Sequence, residues 1–228
     1  MPKFNEKQLE HIELMKLIAQ EVSKNEPSVL KGGTALLLVY GLDRFSDDLD
    51  FNFPKEKTSD LKPYITKAAQ SLGIKINSIN IKKDTDTTKR YIVNYDSNFT
   101  KGDYSLKVEC SMRYDIKESE FVTIDGISVY KIEDLAKLKT DAFIGRVKAR
   151  DTYDISFLLN NYQNQVNKET WDRIERHVNS KGIDELLREF EEEAKHDVSL
   201  GDFDAAKIVL SIQEAIDNRK KDIHRNEI

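Results

Sequence analysis

The sequence predicts an α+β fold: a mixed β-sheet flanked by helices, followed by a C-terminal helical bundle. Two observations predict it. Between residues 48 and 130 short stretches alternate at strand spacing, interrupted by one helical stretch, whereas the chain before and after that region repeats its apolar residues at helical spacing. The change of period places a division near residue 126, giving an α/β part at 1–126 and a helical part at 127–228. No internal repeat or low-complexity linker intervenes, so the two parts are expected to pack closely.

Taken in order, residues 5–24 form an amphipathic helix. Leu9, Ile12, Met15, Ile18 and Val22 recur at helical spacing, Asn5 caps, and Gln8 occupies the capping-box position. Pro27 closes that region. Lys31-Gly32-Gly33-Thr34 reads as a flexible turn before a short buried helix ending near Gly41. Asp48–Phe53 alternates strictly and stops at Pro54, which makes a strand with Leu49, Phe51 and Phe53 on one face and Asp48, Asp50 and Asn52 on the other. A helix opening at Thr58 or Ser59 runs to Leu72, capped by Gly73. Ile74–Ile81 and Arg90–Tyr95 are expected strands, separated by a polar loop at 84–89. Lys101-Gly102-Asp103 turns into a strand over 104–113. Asp125-Gly126, between Phe121–Ile124 and Ile127–Tyr130, is the strongest hairpin signal in the chain. Helices are expected over 133–146, 150–160, 168–179, 183–196 and 203–220, with a frayed tail from Lys221.

Composition narrows the function classes. Charged residues make up 34% and hydrophobic ones 39% of 228 residues, a polar globular profile with room for sizeable cores. The longest apolar run, Ala35–Tyr40, is too short to span a membrane, and the N-terminus carries no apolar signal core. The single cysteine, Cys110, excludes an internal disulfide, and no Cys/His cluster has zinc spacing. A cytoplasmic chain is expected. The net charge of −5 argues against wholesale charge-driven nucleic-acid binding. It leaves room for a local basic groove at Lys137, Lys139, Arg146, Lys148 and Arg150, for which a solvated helix face is an equal reading. His11, His177, His196 and His224 are scattered and read as surface residues.

The informative feature is charge placed on strands. Aspartate is disfavoured in strand interiors, yet Asp48 and Asp50 alternate and project from one face. Such a pair repels unless a cation sits between the groups or one is protonated. Mg²⁺ takes oxygen ligands, commonly one or two carboxylates plus substrate phosphates. On the strand Leu106–Arg113 the residues Lys107, Glu109, Ser111 and Arg113 share a face. If that strand lies beside Asp48–Phe53, Glu109 becomes the third carboxylate of a two-metal site. Upstream, Gly32-Gly33-Thr34 offers backbone amides and a hydroxyl to phosphate at a helix start, without Walker spacing.

Together these residues resemble a known family. Gly32-Gly33-Thr34 followed by Ser46-Asp47-Asp48-Leu49-Asp50 is similar to the first motif of the AbiEii/AbiGii-type nucleotidyltransferase toxins, within the DNA polymerase β-like superfamily. Leu106, Glu109, Ser111 and Arg113 match its second motif. Lys139, Ala142 and Arg146 match the third, and Arg150, Asp151, Asp154, Ile155 and Leu158 the fourth. The departures are Thr34 for the commoner serine and Thr140 at a usually apolar position.

The resemblance implies a nucleotidyltransferase-type sheet with the helical part contributing Lys139 and Asp151/Asp154 to the cleft. It implies catalysis by Asp48, Asp50, Glu109, Lys139, Asp151 and Asp154, with Asp48, Asp50 and Glu109 holding two Mg²⁺ ions, or Mn²⁺ in their place. Gly32, Gly33, Thr34, Ser46, Lys139 and Arg146 would bind the nucleoside triphosphate. RNA, tRNA ends above all, is the implied acceptor, a cognate antitoxin the implied partner, and no membrane is involved. A small-molecule or protein acceptor, and a non-catalytic nucleotide-binding or antitoxin-binding module, are the alternatives. Arg150, Asp151 and Asp154 have a further reading as a structural ion-pair network.

Overall fold

The computed structural model describes residues 4–55, 60–99, 102–113, 115–197, 199–200 and 203–226. They form two compact units, dividing after Lys131.

The first unit opens with α1 (Glu6–Asn25), capped as the sequence requires: the Gln8 amide donates to the Asn5 side chain and the Gln8 side chain accepts from the Asn5 amide. Then come β1 (Val29–Lys31), α2 (Gly32–Tyr40), β2 (Asp48–Asn52), α3 (Lys62–Ser71), β3 (Lys75–Thr85), β4 (Thr88–Asp96), β5 (Asp103–Ser111), β6 (Phe121–Ile124) and β7 (Ile127–Tyr130). The seven strands make one mixed sheet in the order β3-β4-β5-β2-β1-β7-β6. The β2/β5 and β1/β7 pairs are parallel and the other neighbours antiparallel. Leu30, Leu49, Phe51, Tyr91, Val93, Tyr95, Leu106 and Val108 are fully buried on one sheet face. The Leu14, Met15, Ile18 and Val22 stripe of α1 is buried with them.

Several expectations are corrected. The Gly32-Gly33 turn is the first turn of α2, which follows β1 without a linker. The polar loop expected at 84–89 is mostly strand, because β3 and β4 form one long hairpin paired out to Thr85 and Thr88. The strand Ile127–Tyr130, assigned from sequence to the helical part, lies inside the sheet between β1 and β6. The expected helix start at Thr58 or Ser59 falls outside the described residues. The Asp125-Gly126 hairpin forms as expected, with φ of 50° and 78° at its two turn residues, the left-handed pair a two-residue turn of this hand needs.

The second unit contains α4 (Ile132–Gly145), α5 (Ala149–Asn161), α6 (Lys168–Lys181), α7 (Ile183–Ala194) and α8 (Ala205–Asn226). Residues after Lys220, expected to fray, continue α8 to Asn226. Trp171 anchors the bundle: it is 3% exposed, donates its indole N–H to the Gln163 carbonyl at 3.2 Å, and carries the Arg219 guanidinium on its ring.

Candidate active site

The register of β2 on β5 fixes the acidic cluster. Asp48 lies opposite Lys107, Asp50 opposite Glu109 and Asn52 opposite Ser111. With strands about 4.8 Å apart, Asp48, Asp50 and Glu109 become close neighbours on the face opposite Leu49 and Phe51. Adjacent strands extend the row, since Lys31 of β1 is opposite Asp50 and Arg90 of β4 is opposite Glu109. Across four strands the row reads Lys31, Asp50, Glu109, Arg90, with two carboxylates between two cations.

Two of the three acids have cationic partners. Lys107 Nζ is 2.5 Å from Asp48 Oδ2. Arg90 meets Glu109 Oε2 with Nε at 2.8 Å and Nη2 at 2.6 Å. The Asp50 carboxylate makes no ion pair or side-chain hydrogen bond among the described residues. Burial raises its carboxyl above the ordinary aspartate value; Lys107 and Lys31 oppose the rise, and the charges of Asp48 and Glu109 add to it. Burial likewise lowers the Lys31 ammonium against the pull of Asp50 and Glu109, and its Nζ donates to Asn52 Oδ1 at 2.7 Å. Burial works to lower Lys107 as well, but the hydrogen bond and charge of Asp48 outweigh it and raise the group.

The start of α2 borders this cluster. Gly32 has φ of +82°, a conformation that suits glycine, and a Cβ there would stand 3.4 Å from Asp50 Oδ2. No side chain caps α2, so its first amides keep the anion-binding character of a helix N-terminus. Gly33 is required for a different reason: a Cβ would come within 2.7 Å of Arg44 Nη2 and 3.1 Å of Ser46 Oγ. Thr34 is 1% exposed, and its hydroxyl donates to the Asp48 carbonyl and lies 2.8 Å from Ser46 Oγ. That hydroxyl therefore ties α2 to β2, instead of standing open to a phosphate as its place in the glycine motif suggested.

Sequence reasoning missed a residue behind the cluster. His11, read as a surface residue, is 2% exposed. Its Nε2 lies 3.0 Å from the carbonyl of Asp47, which can only accept. Nε2 must therefore carry the proton, and Nδ1 accepts from the Tyr95 hydroxyl at 2.7 Å. Burial lowers the imidazole below its ordinary value, against the raising influence of Asp47, Asp48 and Glu10, so it is neutral at pH 7. A signal existed: His11 lies on the i, i+3, i+4, i+7 stripe with Leu14, Met15 and Ile18, whereas Leu9, taken for the apolar face, is 52% exposed.

Among the described residues no group of three or more His, Cys, Asp or Glu side chains is arranged to hold a metal ion. Asp48 and Glu109 are engaged by Lys107 and Arg90. The donor set still fits a hard divalent cation. It offers only oxygens, on one sheet face, around an Asp50 whose ionised form is disfavoured by its surroundings. A cation there would relieve that disfavour.

In the helical unit the motif residues form ion pairs. Lys139 Nζ is 2.5 Å from Asp154 Oδ2, with the side chains 11% and 0% exposed. Arg146 grips Asp151 with both Nε at 2.7 Å and Nη2 at 3.2 Å. Arg150 pairs with Asp197 and Lys148 with Glu193. The basic stretch of this unit is thus largely neutralised within it.

A mixed sheet with two alternating aspartates on one strand, a glutamate beside them and a glycine-led helix start define a nucleotidyltransferase. The chain belongs to the family of AbiEii nucleotidyl transferase toxins of type IV toxin–antitoxin systems, whose model matches residues 15–227. Two solved structures from Helicobacter pylori are similar over nearly the whole chain. JHP933 is 35% identical with a TM-score of 0.88, covering 99% of this chain and 98% of its own. A protein assigned as a nucleotidyltransferase is 34% identical with a TM-score of 0.88, covering 99% and 100%. No curated protein matches the chain. No helix among the described residues is long and apolar enough to cross a membrane.

Proposed function

We propose that this nucleotidyltransferase moves a nucleoside monophosphate from a nucleoside triphosphate to a hydroxyl of RNA, at tRNA ends above all, as the toxin of a pair with a cognate antitoxin. The observation that carries the reading is the β2/β5 register, with Asp50 beside Glu109 and Asp48 on the same face. Asp48, Asp50 and Glu109 are the residues that would hold Mg²⁺. When bound, the cation neutralises triphosphate charge and polarises the α-phosphorus. Gly32 and Gly33 present the first amides of α2 to the phosphates, and Thr34 and Ser46 hold that helix start against β2. The acceptor oxygen bonds to the α-phosphorus as the bond to the β-phosphate oxygen breaks and pyrophosphate leaves. The acceptor proton passes to Glu109 once that carboxylate is released from Arg90. On the motif resemblance, Lys139 and Arg146 are assigned to the charge of the departing pyrophosphate, and Asp154 and Asp151 to holding them. The proposed setting is the cytoplasm, where the single buried thiol of Cys110 needs no partner.

The test incubates wild type and Asp48→Ala with each α-labelled triphosphate, total RNA, Mg²⁺ or EDTA, followed by nuclease digestion. Nuclease-sensitive label that needs Mg²⁺ and disappears in Asp48→Ala is expected. Label on a nuclease-resistant small molecule or protein refutes the RNA acceptor. Equal transfer by Asp48→Ala refutes the site.

A further inference from the structure

We infer that Lys107 and Arg90 are displaceable counter-ions: they hold Asp48 and Glu109 while no divalent cation is bound, and so weaken metal binding by the free protein. The inference rests on the proposed function for its choice of metal ligands. Both cations are placed by strand register on the acidic face, one directly opposite Asp48 and one directly opposite Glu109. Three acids there, Asp48, Asp50 and Glu109, face Lys31, Lys107 and Arg90, with Arg113 close enough to lower Lys31. The acids are therefore offset by cations without metal, and their mutual repulsion does not oppose folding.

Exposure separates these pairs from structural ones. The Lys107 and Arg90 side chains are 31% and 39% exposed, so each can swing into solvent and keep its charge hydrated. The Lys139–Asp154 pair, 11% and 0% exposed, cannot open without parting a buried carboxylate from its cation. A bare cation entering the site must compete with an ammonium and a guanidinium already in contact. A cation that arrives with a polyphosphate brings the anion to which the displaced Lys107 and Arg90 can turn. Divalent metal and nucleotide are then expected to bind with strong positive coupling, since each removes the obstacle to the other.

The test is a Mn²⁺ titration of the nucleotide-free protein, following unbound Mn²⁺ by its electron paramagnetic resonance signal, for wild type, Lys107→Met, Arg90→Gln and Asp48→Asn. Removing a positive charge within contact distance of a ligand should tighten Mn²⁺ binding roughly tenfold in Lys107→Met and in Arg90→Gln, while Asp48→Asn weakens it. Thermal unfolding in EDTA should show Lys107→Met melting below wild type and regaining most of the loss with Mn²⁺. If Lys107→Met fails to fold, Lys107→Gln takes its place in the same measurements. Folded Lys107 and Arg90 variants that bind Mn²⁺ no tighter than wild type overturn the inference, as does an EDTA melting loss that Mn²⁺ leaves unchanged. Asp48→Asn binding Mn²⁺ like wild type overturns the metal assignment of the proposed function instead.

Discussion

Replacing Gly33 with alanine places a methyl group against a guanidinium that has nowhere to go. The new carbon would sit 2.7 Å from Arg44 Nη2 and 3.1 Å from Ser46 Oγ, whereas non-bonded heavy atoms rest at roughly 3.5 Å or more. About 0.8 Å must be found on the Arg44 side. Arg44 is 2% exposed, so it cannot move into solvent, and the strain spreads into α2 or into the residues before β2. Overpacking of this kind costs about 1–3 kcal/mol. For a chain of this size that corresponds to a fall in Tm of roughly 2–12 °C. Calorimetry or circular dichroism on Gly33→Ala, Arg44→Ala and the double variant isolates the contact. Arg44→Ala is destabilising by itself, but in its background the added methyl should cost less than about 0.5 kcal/mol. The reasoning fails if Gly33→Ala melts with wild type, or if its loss is the same with and without Arg44.

Three further outcomes are expected. Asp50→Asn should stabilise the metal-free protein by about 0.5–2 kcal/mol at pH 7 while removing transfer activity. Because the folded-state carboxyl is raised, wild type is penalised at pH values above that raised value, and the advantage of the variant should shrink as pH falls towards 3.8; an advantage that grows on acidification contradicts the assignment. His11→Leu should lose about 1–3 kcal/mol at pH 7.5 through the abandoned Tyr95 hydroxyl and Asp47 carbonyl. The lowered His11 contributes stability that is present above 6.5 and lost as pH falls through its folded value; urea midpoints should therefore drop less on acidification in the variant, and a parallel drop counts against it. Lys139→Ala removes the cation paired with fully buried Asp154 and should cost about 3–5 kcal/mol, most of it regained in Lys139→Met/Asp154→Leu; chemical denaturation shows whether the pair behaves this way.

What could be read from the sequence was what depends on near neighbours. The Asn5/Gln8 capping box, the alternation of Asp48–Phe53 and the Asp125-Gly126 turn are local, and each forms as expected. The β3–β4 extension was hidden because β3 is an edge strand exposed over much of its length. It is held by pairing to β4, so Lys82, Lys83 and Asp84 carry no alternating pattern. The third acid was legible as a condition, and the β2/β5 register met it. The cations that engage the acids were not legible as such. Lys107 was seen on the right face, but its partnership with Asp48 exists only through that register, and Arg90 joins from a third strand. His11 was lost for the same reason, since its partners lie 84 and 36 residues away in the chain.

The parallel seam between Leu30 and Val129 bears on how the protein is made. Strand β1 emerges from the ribosome early, but one of its two neighbours is among the last strands of its unit to be synthesised. Asp48 and Asp50 must likewise wait for β5 before Glu109 stands beside them. Such long sequence separations slow the search for the native arrangement. A nascent chain that has not yet extruded β5 therefore cannot assemble the site, and one that has not yet extruded β7 still lacks a finished sheet.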